Sequence, residues 1–148
     1  MKLVVGNAWK VIDEYDALCI TTNGVIKKNG CAVMGAGIAK ECSNLFPSVP
    51  RVLGNLMSKH GNRVMKLGEV NGRTSLLSFP TKHNWWEIAD IDLIEKSCKE
   101  LVELADKFGY KKILLPRPGC GNGKLKWNDV KVVLEKYLDD RFYIISFK

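Results

Sequence analysis

Residues 113–127 read ILLPRPGCGNGKLKW, and they join an apolar run to a glycine-rich loop. The apolar run at 113–115 predicts a buried strand, which the following prolines end. Gly119, Gly121 and Gly123 then let main-chain N–H groups approach an anion at the strand's carboxyl end, where open α/β sheets bind their ligands. Glycines also form ordinary turns, so this loop alone does not establish a phosphate site.

A second glycine-rich loop strengthens that interpretation. The β-rich run ALCITT at 17–22 predicts a buried central strand, and the spacing of later apolar residues predicts a helix over 36–45. This helix opens on Gly35-Ala36-Gly37, where its dipole and free N–H groups favour an anion. Two such loops after two strands favour a ligand that carries phosphates.

The remaining elements alternate between strand and helix. A long helix is predicted to begin with a capping box at Asp92 and Glu95 and to end at Gly109, and Asn128 is predicted to cap a last helix. Residues 47–72 give no clear pattern, except that 63–70 have the pattern of a strand. Further strands are predicted at 2–5, 63–70, 75–79 and 142–147. The alternation predicts an α/β fold with a mixed or largely parallel sheet covered on both faces.

Composition limits the class of protein. A chain of 148 residues with 46% hydrophobic and 26% charged residues is expected to form one globular domain over 1–148. No apolar run is long enough to span a membrane, and the N-terminus is too weakly apolar for a signal peptide, so we expect a cytoplasmic protein. The net charge of +7 favours an anionic partner, either a nucleic acid or a small phosphorylated ligand.

The cysteines predict neither a metal site nor disulfides. Five cysteines contain no C-x-x-C pair, and two histidines give no zinc spacing, so we expect reduced thiols and no metal. Cys19, Cys42 and Cys98 fall in apolar patterns that are typical of small core residues. Cys120 lies in the glycine loop, but no histidine stands near it in the sequence, and a nucleophilic role is therefore disfavoured.

The chain has an early strand that ends in Asn, a G-x-G loop that opens the next helix and a late P-x-P-G-C-G-x-G loop, and this combination resembles the macrodomain family, whose members bind ADP-ribose. Within the family, three motifs are most similar to one branch: MGAGIA at 34–39, FPTK at 79–82 and GCGNGKLKW at 119–127. That branch contains the terminal ADP-ribose protein glycohydrolase and the macrodomain antitoxin that removes ADP-ribose from thymidine in DNA. This resemblance implies a single three-layer α/β/α macrodomain with a mixed, largely parallel central sheet.

The resemblance also implies which residues hold ADP-ribose. Asn7 stands where many macrodomains have an Asp that binds the adenine amino group, Asn23 matches the asparagine at the distal ribose, and Phe147 is expected near the adenine. The loop beneath the phosphates is matched by Gly35, Ala36, Gly37 and Ile38, and the loop over the diphosphate and distal ribose by Gly119, Cys120, Gly121, Asn122 and Gly123.

Lys82 is the residue expected to carry chemistry. It follows an apolar strand, stands near two tryptophans, and matches the catalytic lysine of the glycohydrolase branch. In that branch the lysine lies by the anomeric carbon of the distal ribose, where it attacks as the amine or polarises the glycosidic bond. His83, the next residue, is a weaker candidate for a proton shuttle.

One residue departs from the protein glycohydrolase pattern. Gly123 aligns with a catalytic Asp of that enzyme, so the late loop carries no carboxylate and is more similar to that of the DNA antitoxin. Glu41, Glu87 or Asp90 could supply a carboxylate from elsewhere, although the sequence favours a surface charge for each of them.

Four functions follow from these observations. The leading hypothesis is an enzyme that hydrolyses an ADP-ribosyl linkage on DNA or protein, without a metal or cofactor. The alternatives are a non-catalytic ADP-ribose reader, an ADP-ribose 1″-phosphate phosphatase, and a single-stranded nucleic-acid binder that stacks bases on Trp85 and Trp86. The expected partners are ADP-ribose or an ADP-ribosylated macromolecule, single-stranded DNA among them. We expect an antitoxin-like monomer in the cytoplasm of a bacterium, or of its host if a phage carries it, without a membrane partner.

Overall fold

A computed structural model describes residues 1–147. Their strands form one six-stranded sheet. The strands are β1 (Lys2–Val5), β2 (Ala17–Thr22), β3 (Lys66–Val70), β4 (Thr74–Pro80), β5 (Ile113–Pro116) and β6 (Phe142–Ser146). The helices are α1 (Ala8–Val11), α2 (Gly37–Leu45), α3 (Val49–His60), α4 (Ile91–Phe108) and α5 (Trp127–Glu135), and a 3₁₀ turn at Ile12–Glu14 follows α1.

The sheet is mixed and largely parallel, as predicted. Its strand order is β1-β6-β5-β2-β4-β3. Every neighbouring pair is parallel except β3 and β4, which are antiparallel. The carboxyl ends of the five parallel strands therefore meet at one edge of the sheet, and the loops that follow them lie side by side.

Helices cover both faces of the sheet. Successive residues of a strand point to opposite faces, and in β2 Cys19 packs with the apolar residues of α4 and α5 while Leu18 packs with those of α1 to α3. Cys19, Cys42 and Cys98 are fully buried, as predicted for small core residues. Burial raises the pKa of the Cys42 thiol to about 11 and that of Cys98 to about 12, so these thiols stay protonated and unreactive.

Helix α3 was not predicted. Its buried residues Val49, Leu53 and Met57 recur every four positions, but a proline near its start and Gly54 in its interior weaken the pattern. A Cβ on Gly54 would lie 1.9 Å from the main-chain oxygen of Gly30, so the glycine lets the helix pack closely on the loop that follows β2. Glycine is needed at position 54 because of this contact with a distant part of the chain, and the sequence around it does not reveal that contact.

Two predicted helix caps are wrong. Helix α4 begins one residue before Asp92, and Asp90 caps it by accepting a hydrogen bond from the Asp92 N–H at 2.9 Å. Helix α5 begins at Trp127, so Asn128 lies inside the helix, and Lys126 at the cap position forms no side-chain hydrogen bond to it. The predicted end of α4 is confirmed, because Gly109 adopts a left-handed conformation with φ of 70°. Among residues 1–147, no helix is long and apolar enough to cross a membrane.

Candidate functional site

A cleft of about 890 Å³ lies along the edge where the parallel strands end. This volume suits a nucleotide-sized ligand. The predicted binding residues and Lys82 all line the cleft, whereas His83 does not. The lining includes Asn7, Asn23, Gly35, Ala36, Gly37, Ile38, Lys82, Gly119, Cys120, Gly121, Asn122, Gly123 and Phe147. The structure thus brings together residues that are up to 140 positions apart in the sequence.

The two glycine-rich loops face each other across the cleft. A Cβ built on Gly37 would lie 3.4 Å from Nδ2 of Asn122, so the loops approach van der Waals contact at this point. Gly35 and Gly121 are exposed, and a Cβ on either would meet no atom within 4 Å. The N-terminal N–H groups of α2 have no side-chain cap and lie at the same place. A diphosphate between the loops would meet main-chain donors and the positive end of a helix dipole.

Gly123 is required by packing. It is buried, and a Cβ at this position would lie 2.5 Å from the Gly119 oxygen and 2.8 Å from Cβ of Ala89. Two hydrogen bonds close the loop around it: Leu125 N–H donates to Gly119 at 2.9 Å, and Ala89 N–H donates to Gly123 at 3.0 Å. A carboxylate side chain therefore cannot be accommodated at this position without moving the loop.

Both asparagines of the cleft also hold main-chain groups. Asn7 caps α1, and its Oδ1 accepts a hydrogen bond from Trp9 N–H at 2.9 Å. Asn23 donates from Nδ2 to Val33 O at 3.0 Å and accepts at Oδ1 from Val25 N–H at 3.0 Å. An amide can form four hydrogen bonds, so each side chain keeps capacity for a ligand. These bonds fix the orientation of both amides before a ligand binds.

Three further cleft residues were not predicted from the sequence. Trp9 and Arg117 line the cleft, and the Arg117 guanidinium lies 4.6 Å from the centre of the Trp127 ring. The buried hydroxyl of Thr22 also lines it and has no hydrogen-bond partner among the described residues. A buried hydroxyl without a partner is costly, so a polar ligand group is favoured beside it. The sequence feature that could have revealed these three residues is their position at or just after the carboxyl end of a strand.

Lys82 lies at one end of the cleft and bridges two loops. It is partly buried, and its Nζ donates to the main-chain oxygens of Trp85 at 3.3 Å and Asn122 at 3.2 Å. Its own carbonyl accepts a hydrogen bond from Nδ2 of Asn62 at 3.1 Å. Nζ is tetrahedral, with one position bonded to the side chain and two donating to these oxygens. One position remains for a substrate.

The structure does not bring His83 into the cleft. Its side chain is exposed, and Nε2 lies 2.8 Å from Oδ2 of Asp90. This hydrogen bond to His83, followed by main-chain N–H groups at the start of α4, holds the pKa of Asp90 below its usual range. Asp90 therefore serves as a helix cap outside the cleft.

The other two candidate carboxylates form no ion pair with Lys82 within the described part of the chain. Glu87 accepts hydrogen bonds from the main chain and side chain of Asn84, outside the cleft. Glu41 lines the cleft, but its Oε1 accepts from Nε1 of Trp9 at 3.2 Å. Trp9 follows β1 and Lys82 follows β4, and these strands are four spacings apart, about 19 Å. Glu41 is thus placed at the opposite end of the cleft from Lys82.

Cys120 is a poor nucleophile in this structure. Burial raises the pKa of its thiol despite the opposing effect of Arg117, and Sγ lies 3.5 Å from the main-chain oxygen of Pro118. A protonated thiol with a carbonyl neighbour does not attack an anomeric carbon efficiently. Its position in the loop is consistent with ligand contact through the main chain.

Comparison with solved structures identifies this arrangement. The chain superposes on Thermosipho africanus DarTG in complex with ADP-ribose with a TM-score of 0.79, at 30% identity, over 97% of this chain and 40% of that one. It superposes on the macrodomain of Thermus aquaticus DarG with a TM-score of 0.78, at 24% identity, over 99% and 97%. The chain has the macrodomain fold. The predicted family resemblance and fold class are therefore confirmed.

Among curated proteins, this chain is similar to a DNA ADP-ribosyl transferase–DNA ADP-ribosyl glycohydrolase fusion protein of Thermosipho africanus (strain H17ap60334). The two are 30% identical in an alignment 133 positions long, and the match covers 76% of this chain and 34% of that protein. The chain spans about a third of the length of the curated relatives it matches. No model of a known protein family matches the chain.

Proposed function

We propose that this macrodomain binds ADP-ribose in the cleft and hydrolyses an ADP-ribosyl linkage on a base of single-stranded DNA. The observation that carries the proposal is the placement of Lys82, whose Nζ joins the late glycine loop to the segment after β4 at one end of the cleft. The names of the curated relatives, which are DNA ADP-ribosyl glycohydrolases, support the choice of DNA.

The order of the strands supports one direction for the proposed ligand. Asn7 and Phe147 follow β1 and β6 at one end, where the adenine is proposed to lie. The diphosphate would occupy the gap between the two glycine loops. The distal ribose would then lie by Asn23, after β2, and by Lys82, after β4. In the proposed direction the anomeric carbon would lie next to Nζ, and the DNA base would leave at the same end.

The reaction breaks the bond between the anomeric carbon and the base. The electron pair of that bond leaves with the base, which gains a proton, and water supplies the hydroxyl group to the carbon. The free position of Lys82 Nζ can contribute in two ways: a third N–H can donate to the departing base, or a lone pair can attack the carbon to give a glycosylamine that water then hydrolyses.

Release of free ADP-ribose from single-stranded DNA ADP-ribosylated on thymidine tests the proposal. We expect release by the wild type and by the control Lys136→Ala, whose side chain is exposed outside the cleft. Lys82→Ala should be slower by about 10²- to 10⁴-fold, the usual contribution of a positioned acid or base. Unchanged release by Lys82→Ala would refute the assigned role. Borohydride reduction during turnover distinguishes the two routes, because only the attack route gives a glycosylamine on Lys82, and borohydride reduces the imine formed when its sugar ring opens to a stable secondary amine.

A non-catalytic reader of ADP-ribose is the second candidate. The packing of Gly123 favours it, since the late loop cannot present a carboxylate. A reader would bind ADP-ribose by calorimetry and release none of it from DNA or protein conjugates.

We also propose that the protein acts as a monomer in a reducing, cytoplasmic compartment. All five cysteines are free thiols, and three of them are buried in the core. Structural disulfides are typical of oxidising compartments, so free thiols support a reducing one.

A further inference from the structure

Two tryptophans are exposed on the segment that follows Lys82. The exposed fractions of Trp85 and Trp86 are 54% and 63%, and Ile88 nearby is 63% exposed. The two indole rings are perpendicular, with an interplanar angle of 89° and centroids 5.4 Å apart. Large apolar side chains that lie together in water usually mark a binding surface.

The main chain of this segment is held at several points. Lys82 Nζ donates to the carbonyl of Trp85, and Asn84 and Glu87 close a turn through main-chain and side-chain hydrogen bonds of 3.2 and 3.0 Å. At its end, Ala89 N–H donates to the late glycine loop at 3.0 Å. The tryptophans are therefore presented by a fixed turn, and a partner would pay little ordering entropy to use them.

The aromatic surface begins inside the cleft and continues outside it. Trp85 lines the cleft beside Lys82, whereas Trp86 does not line it. Any group attached to the distal ribose must leave the cleft at this end. The tryptophans are thus the first surface that such a group meets.

We propose that Trp85 and Trp86 form a stacking platform for the nucleotides that flank the ADP-ribosylated base in single-stranded DNA. This inference rests on the proposed function. Nucleobases stack on aromatic side chains whatever their sequence, which suits a platform beside a site that recognises the ADP-ribose itself. Perpendicular rings hold two bases in different planes, which a flexible single strand permits and a duplex does not.

The charge around the platform complements a phosphate backbone. The chain carries a net charge of +7, and Lys82 lies on the platform's cleft side. Lys124 is exposed and directly follows Gly123, which accepts the hydrogen bond from Ala89 N–H. The neighbouring acids are engaged: Glu87 accepts hydrogen bonds from Asn84, and Asp90 pairs with His83. An acidic peptide would gain the same charge attraction but would offer few flat rings to stack.

The test compares two substrates. One is a single-stranded oligonucleotide of ten or so nucleotides ADP-ribosylated on one thymidine, and the other is the ADP-ribosylated thymidine nucleoside alone. We expect wild type to have the higher kcat/KM for the oligonucleotide. Trp86→Ala should lower the ratio of the two kcat/KM values by roughly 5- to 150-fold, the loss expected for one stacked base. Trp86→Phe should restore most of that ratio.

Phe108→Ala is the matched control. Phe108 is also an exposed aromatic residue, but it ends α4 and packs near Tyr110, before the start of β5, away from the cleft. The ratio of kcat/KM for the oligonucleotide to that for the nucleoside should be the same in Phe108→Ala as in wild type. If Trp86→Ala also keeps the wild-type ratio, the platform proposal is overturned and the proposed function is unaffected. An equal loss on an ADP-ribosylated peptide would also overturn it, in favour of a protein partner.

A direct binding measurement separates failure of the platform from failure of the enzyme. If wild type cleaves neither substrate, the proposed hydrolysis is wrong, and fluorescence anisotropy with a labelled, unmodified oligothymidine then tests the platform by itself. Weaker binding by Trp86→Ala than by wild type and Phe108→Ala would support it. Equal binding by all three proteins would overturn it.

Discussion

Replacing Gly123 should unfold the late loop before it affects any chemistry. A Cβ at this position would lie 2.5 Å from the Gly119 oxygen, 2.7 Å from the Gly119 Cα and 2.8 Å from Cβ of Ala89. The first two atoms belong to the main chain, so a rotamer change cannot relieve the contact. Gly123→Ala therefore forces the loop apart and strains the hydrogen bond from Ala89 N–H to Gly123.

The expected cost is that of overpacking a buried position, about 1–3 kcal/mol. For a domain of 148 residues, each kcal/mol lowers Tm by about 3–4 °C. Gly123→Ala should thus melt roughly 3–12 °C below wild type in a thermal scan followed by circular dichroism. Gly123→Asp, which restores the carboxylate of the protein glycohydrolase, should melt at least as low and should gain no activity.

Gly121→Ala is the matched control, two residues earlier in the same loop. A Cβ there meets no atom within 4 Å, so its Tm should stay within about 2 °C of wild type, as for a surface substitution. Equal Tm values for Gly123→Ala and wild type would refute the inference that a Cβ at position 123 clashes with Gly119 and Ala89. A faster Gly123→Asp enzyme would show that the loop can present a carboxylate after all.

Three further predictions test the cleft and its surroundings. Gly121→Val should fold normally but weaken ADP-ribose binding at least tenfold by calorimetry, because its side chain would occupy the open space of the cleft. Asn62→Leu should lower kcat more than it changes ADP-ribose affinity, because the hydrogen bond that positions the main chain of Lys82 is lost. Asp90→Ala should lower the free energy of unfolding by about 1 kcal/mol at pH 7 in urea titrations, through loss of the α4 cap. The folded-state pKa of Asp90 is depressed, so the wild-type advantage is present above the unfolded pKa near 4 and should shrink as pH falls through the folded value.

The sequence predicted the parts of the fold that depend on local signals. Strands β2 and β5 are buried on both faces, so their sequences are continuous apolar runs. Such runs can be recognised in the sequence without knowledge of the fold. The start of α5 was predicted too late, with Asn128 as the cap, because the true cap position holds Lys126, which forms no side-chain hydrogen bond to the helix. Helix α3 was missed because Gly54 serves a contact with the distant Gly30.

The candidate site was predictable for a different reason. Ligand loops in a parallel sheet follow the strands' carboxyl ends, so a residue's place after a strand predicts its place in the cleft. This holds for Asn7, Asn23 and Lys82. The rule does not tell which way a side chain turns. His83 follows the same strand as Lys82, yet it turns to Asp90 and leaves the cleft.

The glycine that excludes a carboxylate also supports the lysine. Gly123 lets the late loop fold tightly against Gly119 and Ala89, and the residue before it, Asn122, then directs its carbonyl to Lys82 Nζ at 3.2 Å. No carboxylate among residues 1–147 forms an ion pair with Lys82. A loop opened to admit an Asp would lose this anchor. In this chain the main chain of the late loop, and not a carboxylate, therefore holds Lys82 Nζ from that side of the cleft.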